Sequence, residues 1–204
     1  MTTPCTLTGP RLVLRPLAAT DGDALVRAAA DGDLWTSKLT AIPSAATVAD
    51  YLRIALDGAA AGTVLPFVTT LRASGEVVGS TRFWKVDHRN RKAEIGHTWI
   101  AASHQRSFVN TEAKYLMLRH AFETWGLLRV QLQTDALNQR SRAAILRLGA
   151  TQEGLLRKER VMPDGRQRDT LRFSIIDDEW PQVKARLEAR LQARMQTNTE
   201  LTTQ

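Results

Sequence analysis

Several features that commonly betray a function are missing from this chain of 204 residues. It has one cysteine, Cys5, so no internal disulfide can form, and its place in the flexible start gives it no catalytic part. Its few histidines make no metal pattern: His88 falls in a turn, His120 lies among apolar helix neighbours, and neither stands at ligand spacing from a partner, so no metal is expected. No apolar run approaches the roughly 20 residues of a membrane helix, and the opening MTTPCTLTGP lacks the apolar centre of a signal peptide, which predicts a cytoplasmic protein. Aromatic residues make up 6% and are not interleaved with arginines as a base-stacking surface needs, which argues against nucleic acid. Only two tyrosines are present, Tyr51 and Tyr115.

What is there suits one core. A chain of this length, 43% hydrophobic and 24% charged, predicts a single domain over residues 1–195, with 196–204 as a disordered tail. Lysine and arginine outnumber the acids by 28 to 21, a net +7. That balance suits a polyanionic ligand, although the cations are spread along the chain and equally serve solubility.

Periodicity orders the elements. RLVLRPL alternates and stops at Pro16, so it reads as a strand. Two helices follow, the first capped by Thr20 or Asp21 and stopped at Gly32, the second carrying Val48, Leu52 and Leu56 at four-residue spacing. LPFVTTL, EVVGSTRFW and KAEIGHTWI form an antiparallel meander. A helix over 110–125, the strand RVQLQT and a helix ending at Gly149 come next, then a hairpin across MPDG and a charged amphipathic helix. The order predicts an α/β (α+β) mixed sheet, mostly antiparallel, with one parallel pair, KAEIGHTWI beside RVQLQT, joined through a helix.

The loop from His104 to Asn110 runs into that crossover helix. If Asn110 caps it, the first amides point together into the loop, a geometry that attracts phosphate; taken by itself the segment reads first as an ordinary polar loop capping a core helix. The absence of glycine is no bar, because every residue but proline carries an amide, provided the Phe108 ring points away.

Over Arg11 to Trp180 the chain resembles the RimJ/RimL-type GNAT N-acetyltransferases. RLVLRPL, AEIGHTWI, NTEAKYLMLRHAFE, DALNQRSRAAILRLGATQEGLLR, DGRQRD and DDEW carry the resemblance by their joint order and spacing. It implies the GNAT fold, with a splayed strand pair, and acetyl-CoA as cosubstrate. The pyrophosphate would lie on Gln105, Arg106, Ser107, Phe108, Val109 and Asn110, where the family's two small residues are replaced. Pantetheine amides would pair with backbone around Trp99 and Ile100. Asn138 would contact the pantetheine and Ser141 would protonate the leaving thiolate, though a plain helix cap accounts for both without a ligand. The tyrosine that some relatives use as acid has no counterpart.

For the base, the two-residue strand period puts Glu94 on one face with Gly96 and Thr98, and His97 on the other with Trp99. Glu94 therefore either takes the amine's proton or serves as a structural ion pair with an arginine. The reaction expected is acetyl transfer to a primary amine, by resemblance a protein α-amine; a small amine, or acetyl-CoA binding without turnover, are the alternatives. The acceptor groove should be lined by Leu34 to Ala46 and the last hairpin. A homodimer is expected from the resemblance and from LRFSII, read as an apolar edge strand.

Overall fold

The computed structural model describes residues 3–202. Eight strands form one sheet: β1 (Leu7–Thr8), β2 (Leu12–Pro16), β3 (Leu65–Leu71), β4 (Val77–Asp87), β5 (Lys92–Ile100), β6 (Arg129–Asp135), β7 (Thr151–Val161) and β8 (Gln167–Ile176). Their spatial order is β1-β2-β3-β4-β5-β6-β8-β7. The helices are α1 (Gly22–Ala30), α2 (Val48–Ala60), α3 (Val109–Arg119), α4 (Gln139–Leu148) and α5 (Trp180–Thr202). Only β5 and β6 run parallel, as a crossover through α3 demands. No helix among the described residues is long and apolar enough to cross a membrane.

Two apolar clusters hold the layers. On one face α3 and α5 pack over Phe83, Ile95, Leu132 and Phe173, and Ile145 and Leu148 of α4 join the same cluster. Helix α5 contributes Val183, Leu187 and Leu191, the four-residue stripe that its charged exterior concealed. On the other face α1 and α2 close over Val68 and Trp99 through Leu25, Ala29, Leu52 and Ala55. Gly149 ends α4 in the left-handed region at φ 102°, as the sequence led us to expect.

Three readings need correction. Helix α3 begins at Val109, not after Asn110: the Ser107 hydroxyl accepts from Val109 N (3.2 Å) and donates to His104 O (2.6 Å), so the turn closes before Asn110. Asp21 is the N-cap residue of α1, one of the two expected, but its carboxylate makes no cap bond and is held by Arg15 and by Ala18 N. Strand β8 is not an edge; it lies between β6 and β7, so the edge argument for a homodimer falls away. The true edge, β7, is exposed and charged across Arg157, Lys158, Glu159 and Arg160, a composition that resists strand addition. Helix α5 runs Trp180–Thr202, and the last two residues lie outside the described residues.

One buried ionic link positions α3. Glu112, 1% exposed, accepts from Arg11 N (2.8 Å), Leu12 N (2.9 Å) and Arg11 Nε (3.1 Å). It ties the first turn of α3 to the start of β2, and with it the loop that precedes the helix.

Candidate active site

The parallel pairing of β5 and β6 spans only Lys92 to Glu94 against Arg129 to Gln131. Beyond that point the strands part, and both carry the chain to a helix start: β5 through the 101–108 loop to α3, β6 through Ala136 and Leu137 to α4. The two lips of this mouth touch where Arg140 of α4 donates to the Gln105 side-chain oxygen Oε1. Gln105 also donates to Ile100 O at 2.7 Å.

At the root sits Glu94, 2% exposed. Its Oε2 accepts from Gln131 Nε2 (3.1 Å) and lies 3.6 Å from Lys85 Nζ, while Oε1 is buried without a partner. Burial raises the carboxyl above the usual carboxylate range; Trp84, Lys85 and Arg160 draw it back only in part. The place a Cβ on Gly96 would occupy is 3.1 Å from the Trp84 indole nitrogen and 3.7 Å from Glu94 Oε1, so only glycine leaves the space between these two groups open.

A bulge overturns the strand-face expectation. Arg82 pairs with Gly96 and Ser80 with Trp99, so β5 carries one residue more than β4 here, and His97 takes φ 50°. Thr98 therefore turns to the α3 face, where its hydroxyl bonds Lys114 Nζ (2.6 Å) and Thr81 (2.8 Å). His97 comes round to the face of Glu94, edge-on to Trp84 at 4.9 Å. Burial, with Arg82, Arg160 and Lys85 adding to it, pushes His97 down to about 3, so its imidazole stays neutral. Lys85 in β4 and Lys158 in β7 also adopt positive φ (50° and 52°), at two further irregularities of the same strands. Two of these strained non-glycine residues, Lys85 and His97, stand beside one carboxylate, the clustering that functional sites show.

The other predicted residues are placed as follows. Trp99 is buried, its indole donating to Tyr51 OH (3.2 Å), so only its backbone can face the mouth. The Ile100 carbonyl is already used by Gln105, and an incoming amide would have to displace that bond. Arg106 has φ 60°. The Phe108 ring lies under the Arg11 guanidinium, 4.0 Å from its carbon, and lines a hollow with Pro10, Leu71, Arg72 and His104 of the same loop. Asn138 caps α4 by accepting from Ser141 N at 2.9 Å. Ser141 stands in the first turn of α4 beside the mouth, and among the described residues nothing joins it to Glu94. Neither tyrosine hydroxyl is uncommitted: Tyr51 donates to Ser80 and Tyr115 to Glu188.

Sequence reasoning missed the cations around Glu94. Arg82 shares the strand parity of Trp84 in STRFW, a signal that was available; Arg160 and Arg168 reach the site through an irregular hairpin, which no local pattern marks. The 34–46 segment does approach that hairpin, with Lys38 Nζ 4.0 Å from Asp164 at its turn.

A family model described as an acetyltransferase (GNAT) domain matches residues 11–151. The ribosomal-protein-serine acetyltransferase of Escherichia coli (strain K12) is 28% identical over 104 residues, 51% of this chain and 58% of that relative. A Bacillus subtilis (strain 168) relative, 33% identical over 110 residues, is likewise matched over only 59% of its length. Among solved structures, Mycobacterium smegmatis RimJ in complex with CoA-disulfide superposes with a TM-score of 0.79 at 28% identity, covering 92% of this chain and 95% of that one. A GCN5-related N-acetyltransferase from Brucella melitensis gives 0.82 at 29% identity, covering 93% and 86%.

Proposed function

The chain belongs to the GNAT acetyltransferases, and on that premise we propose that it moves an acetyl group from acetyl-CoA to a primary amine, with a protein α-amine as the first acceptor class to test. The observation that carries the reading is a buried carboxylate with one unpaired oxygen, Glu94 Oε1, at the root of two strands that part toward a pair of helix starts. RimJ, matched along nearly its whole length, is a structure holding a CoA species.

The residues fit such a cosubstrate. The first amides of a helix lack intrahelical partners; Val109 N of α3 is held by the Ser107 hydroxyl, and the pyrophosphate would be met by the remaining amides of the stretch Gln105 to Asn110. The β5–β6 pairing ends at Glu94, so backbone at Trp99 and Ile100 would take the pantetheine amides, with Asn138 and Ser141 at the start of α4 meeting the same arm. When bound, acetyl-CoA supplies an acyl group activated as a thioester. Glu94 takes the proton of the ammonium, directly or through water, so that the amine can attack; Ser141 is placed to return a proton to the departing sulfur. A small-molecule acceptor, or cofactor binding without turnover, remains an alternative that the same groove allows.

Thermal denaturation with acetyl-CoA checks the cofactor half of this reading. At a concentration 100 times Kd, a ligand bound only by the folded state adds about 2.7 kcal/mol, which for a chain of this size raises Tm by roughly 5–10 °C. We expect such a rise in wild type and in Phe108→Gly alike. No shift in wild type contradicts cofactor binding; a shift in Phe108→Gly alone identifies the ring as a plug.

A further inference from the structure

A buried guanidinium without a carboxylate is costly, and this protein holds one beside its candidate base. Arg82, 4% exposed, makes no side-chain hydrogen bond or ion pair among the described residues; its guanidinium carbon lies 5.1 Å from the Tyr51 ring centroid and its Nε is buried without a partner. It does not stand alone. Of the ten buried side-chain polar atoms without partners among the described residues, seven lie on the Glu94 face of the sheet. Cross-strand pairing shows they share it: Trp84 opposes Glu94, Gly96 opposes Arg82, Glu94 opposes Gln131, and Gln133 opposes Arg172. On β8, Thr170 and Arg168 continue the row, 0% and 8% exposed, with Thr170 Oγ1 and Arg168 Nε both unpartnered.

The charge there is unbalanced. Arg82, Lys85, Arg160, Arg166 and Arg168 surround two buried carboxylates, Glu94 and Asp135. Asp135 is taken by Arg166 at 2.5 Å and lies 3.8 Å from Arg168 Nε. Helices α1 and α2 cover this face over Val68 and Trp99, and α2 brings the Tyr51 ring against Arg82; the 34–46 segment reaches the turn of the last hairpin through Lys38 and Asp164. Unpartnered donors at this density call for an acceptor from outside the chain.

We propose that this groove seats a carboxylate on the acceptor itself, held by Arg82 and Arg168, so that the substrate is an amine bearing a second, anionic group. The inference rests on the acetyl-transfer reading above for the amine, and for the anion on unpaired Arg82 together with Arg168, whose Nε makes no hydrogen bond and only a 3.8 Å ion pair with Asp135. Two sources carry the same chemistry: an acidic residue next to a peptide's free amino terminus, or a small amino acid.

Matched pairs separate them. With acetyl-CoA, thiol release is measured for the peptide amides Ser-Glu and Ser-Gln, and for 4-aminobutyrate against butylamine. At least one anionic member should exceed its neutral partner in kcat/KM by about tenfold or more, as a charge-assisted contact supplies; the pair that does so names the source. In Arg82→Met the ratio should fall toward one. Independently of turnover, glutarate should raise the Tm of wild type and of the exposed control Arg89→Gln but not of Arg82→Met, whose own Tm without ligand should be no lower, since a buried unpaired charge has been removed. A ratio near one in wild type, a ratio that survives in Arg82→Met, or equal glutarate protection in all three proteins overturns the proposal. Glutarate protection that depends on Arg82, with no amine acetylated, leaves the anion seat standing and removes the transferase reading instead.

Discussion

Replacing Glu94 by glutamine should lower turnover by about 10²- to 10⁴-fold, the range a general base contributes, while the protein melts at the same temperature or higher at neutral pH. The two halves follow from one fact, the burial that raises this carboxyl. An acid whose folded-state pKa is raised keeps its proton longer in the fold than in the unfolded chain. As pH climbs from the unfolded to the folded value, the unfolded state binds fewer protons and stability falls; above the folded value the whole loss is in place. Glutamine removes that loss, and Gln131 can still pair with it by turning its amide. A structural ion pair predicts the opposite, because removing one member of a buried pair destabilises. Lys85, half exposed, is too well solvated to hold Glu94 in place on its own. The same carboxyl sets the acid limb of the pH–rate profile, which should fall at a pH above the ordinary carboxylate range in wild type and be absent in Glu94→Gln. Steady-state rates from pH 5 to 9, with melting curves of both proteins, check this; near-full activity of the variant across that range places the base elsewhere.

The second large effect concerns stability. Glu112→Ala strips the acceptor from Arg11 N, Leu12 N and Arg11 Nε at once, in a site where Arg11 Nη1 and Nη2 already lack partners. Breaking a buried charged network from one side costs about 3–5 kcal/mol. Glu112→Gln keeps an oxygen for one or two donors and should cost roughly half as much. Urea unfolding monitored by tryptophan fluorescence reads both; a loss below about 1 kcal/mol for the alanine variant shows that water or Asn-type repacking takes over the donors. Because Glu112 lies in the first turn of α3, the surviving folded fraction of Glu112→Ala should also bind acetyl-CoA more weakly.

Much of this architecture is written in local pattern. The strands RLVLRPL, LPFVTTL and RVQLQT, the turn MPDG and the glycine after α4 follow from two-residue periodicity and turn chemistry, and the parallel pair follows from a helix standing between two strands. Pattern fails where a residue breaks its own rule. Nothing in KAEIGHTWI announces that His97 takes a positive φ, since a bulge at a non-glycine residue is stabilised by its neighbours across the sheet and not by its own propensity. That one residue moves Thr98 to the opposite face and brings His97 to Glu94. The placement of β8 inside the sheet is likewise a matter of long-range order: LRFSII would look the same at an edge. Glu94 was legible as a candidate because its parity survives up to the bulge. Arg82 was passed over because an arginine in a strand is ordinarily a solvated one, and only the sheet shows it buried.

The central claim is that a buried carboxylate at the root of a splayed strand pair serves acetyl transfer to an amine. Its most direct test is continuous thiol release from acetyl-CoA by the purified full-length chain, across a panel of free-amino-terminal peptides and small primary amines. Acceptor-dependent release that is abolished in Glu94→Gln, with acetyl-CoA affinity unchanged, is the predicted result. Tight acetyl-CoA binding with no acceptor-dependent release from any amine, or release that Glu94→Gln leaves intact, contradicts it.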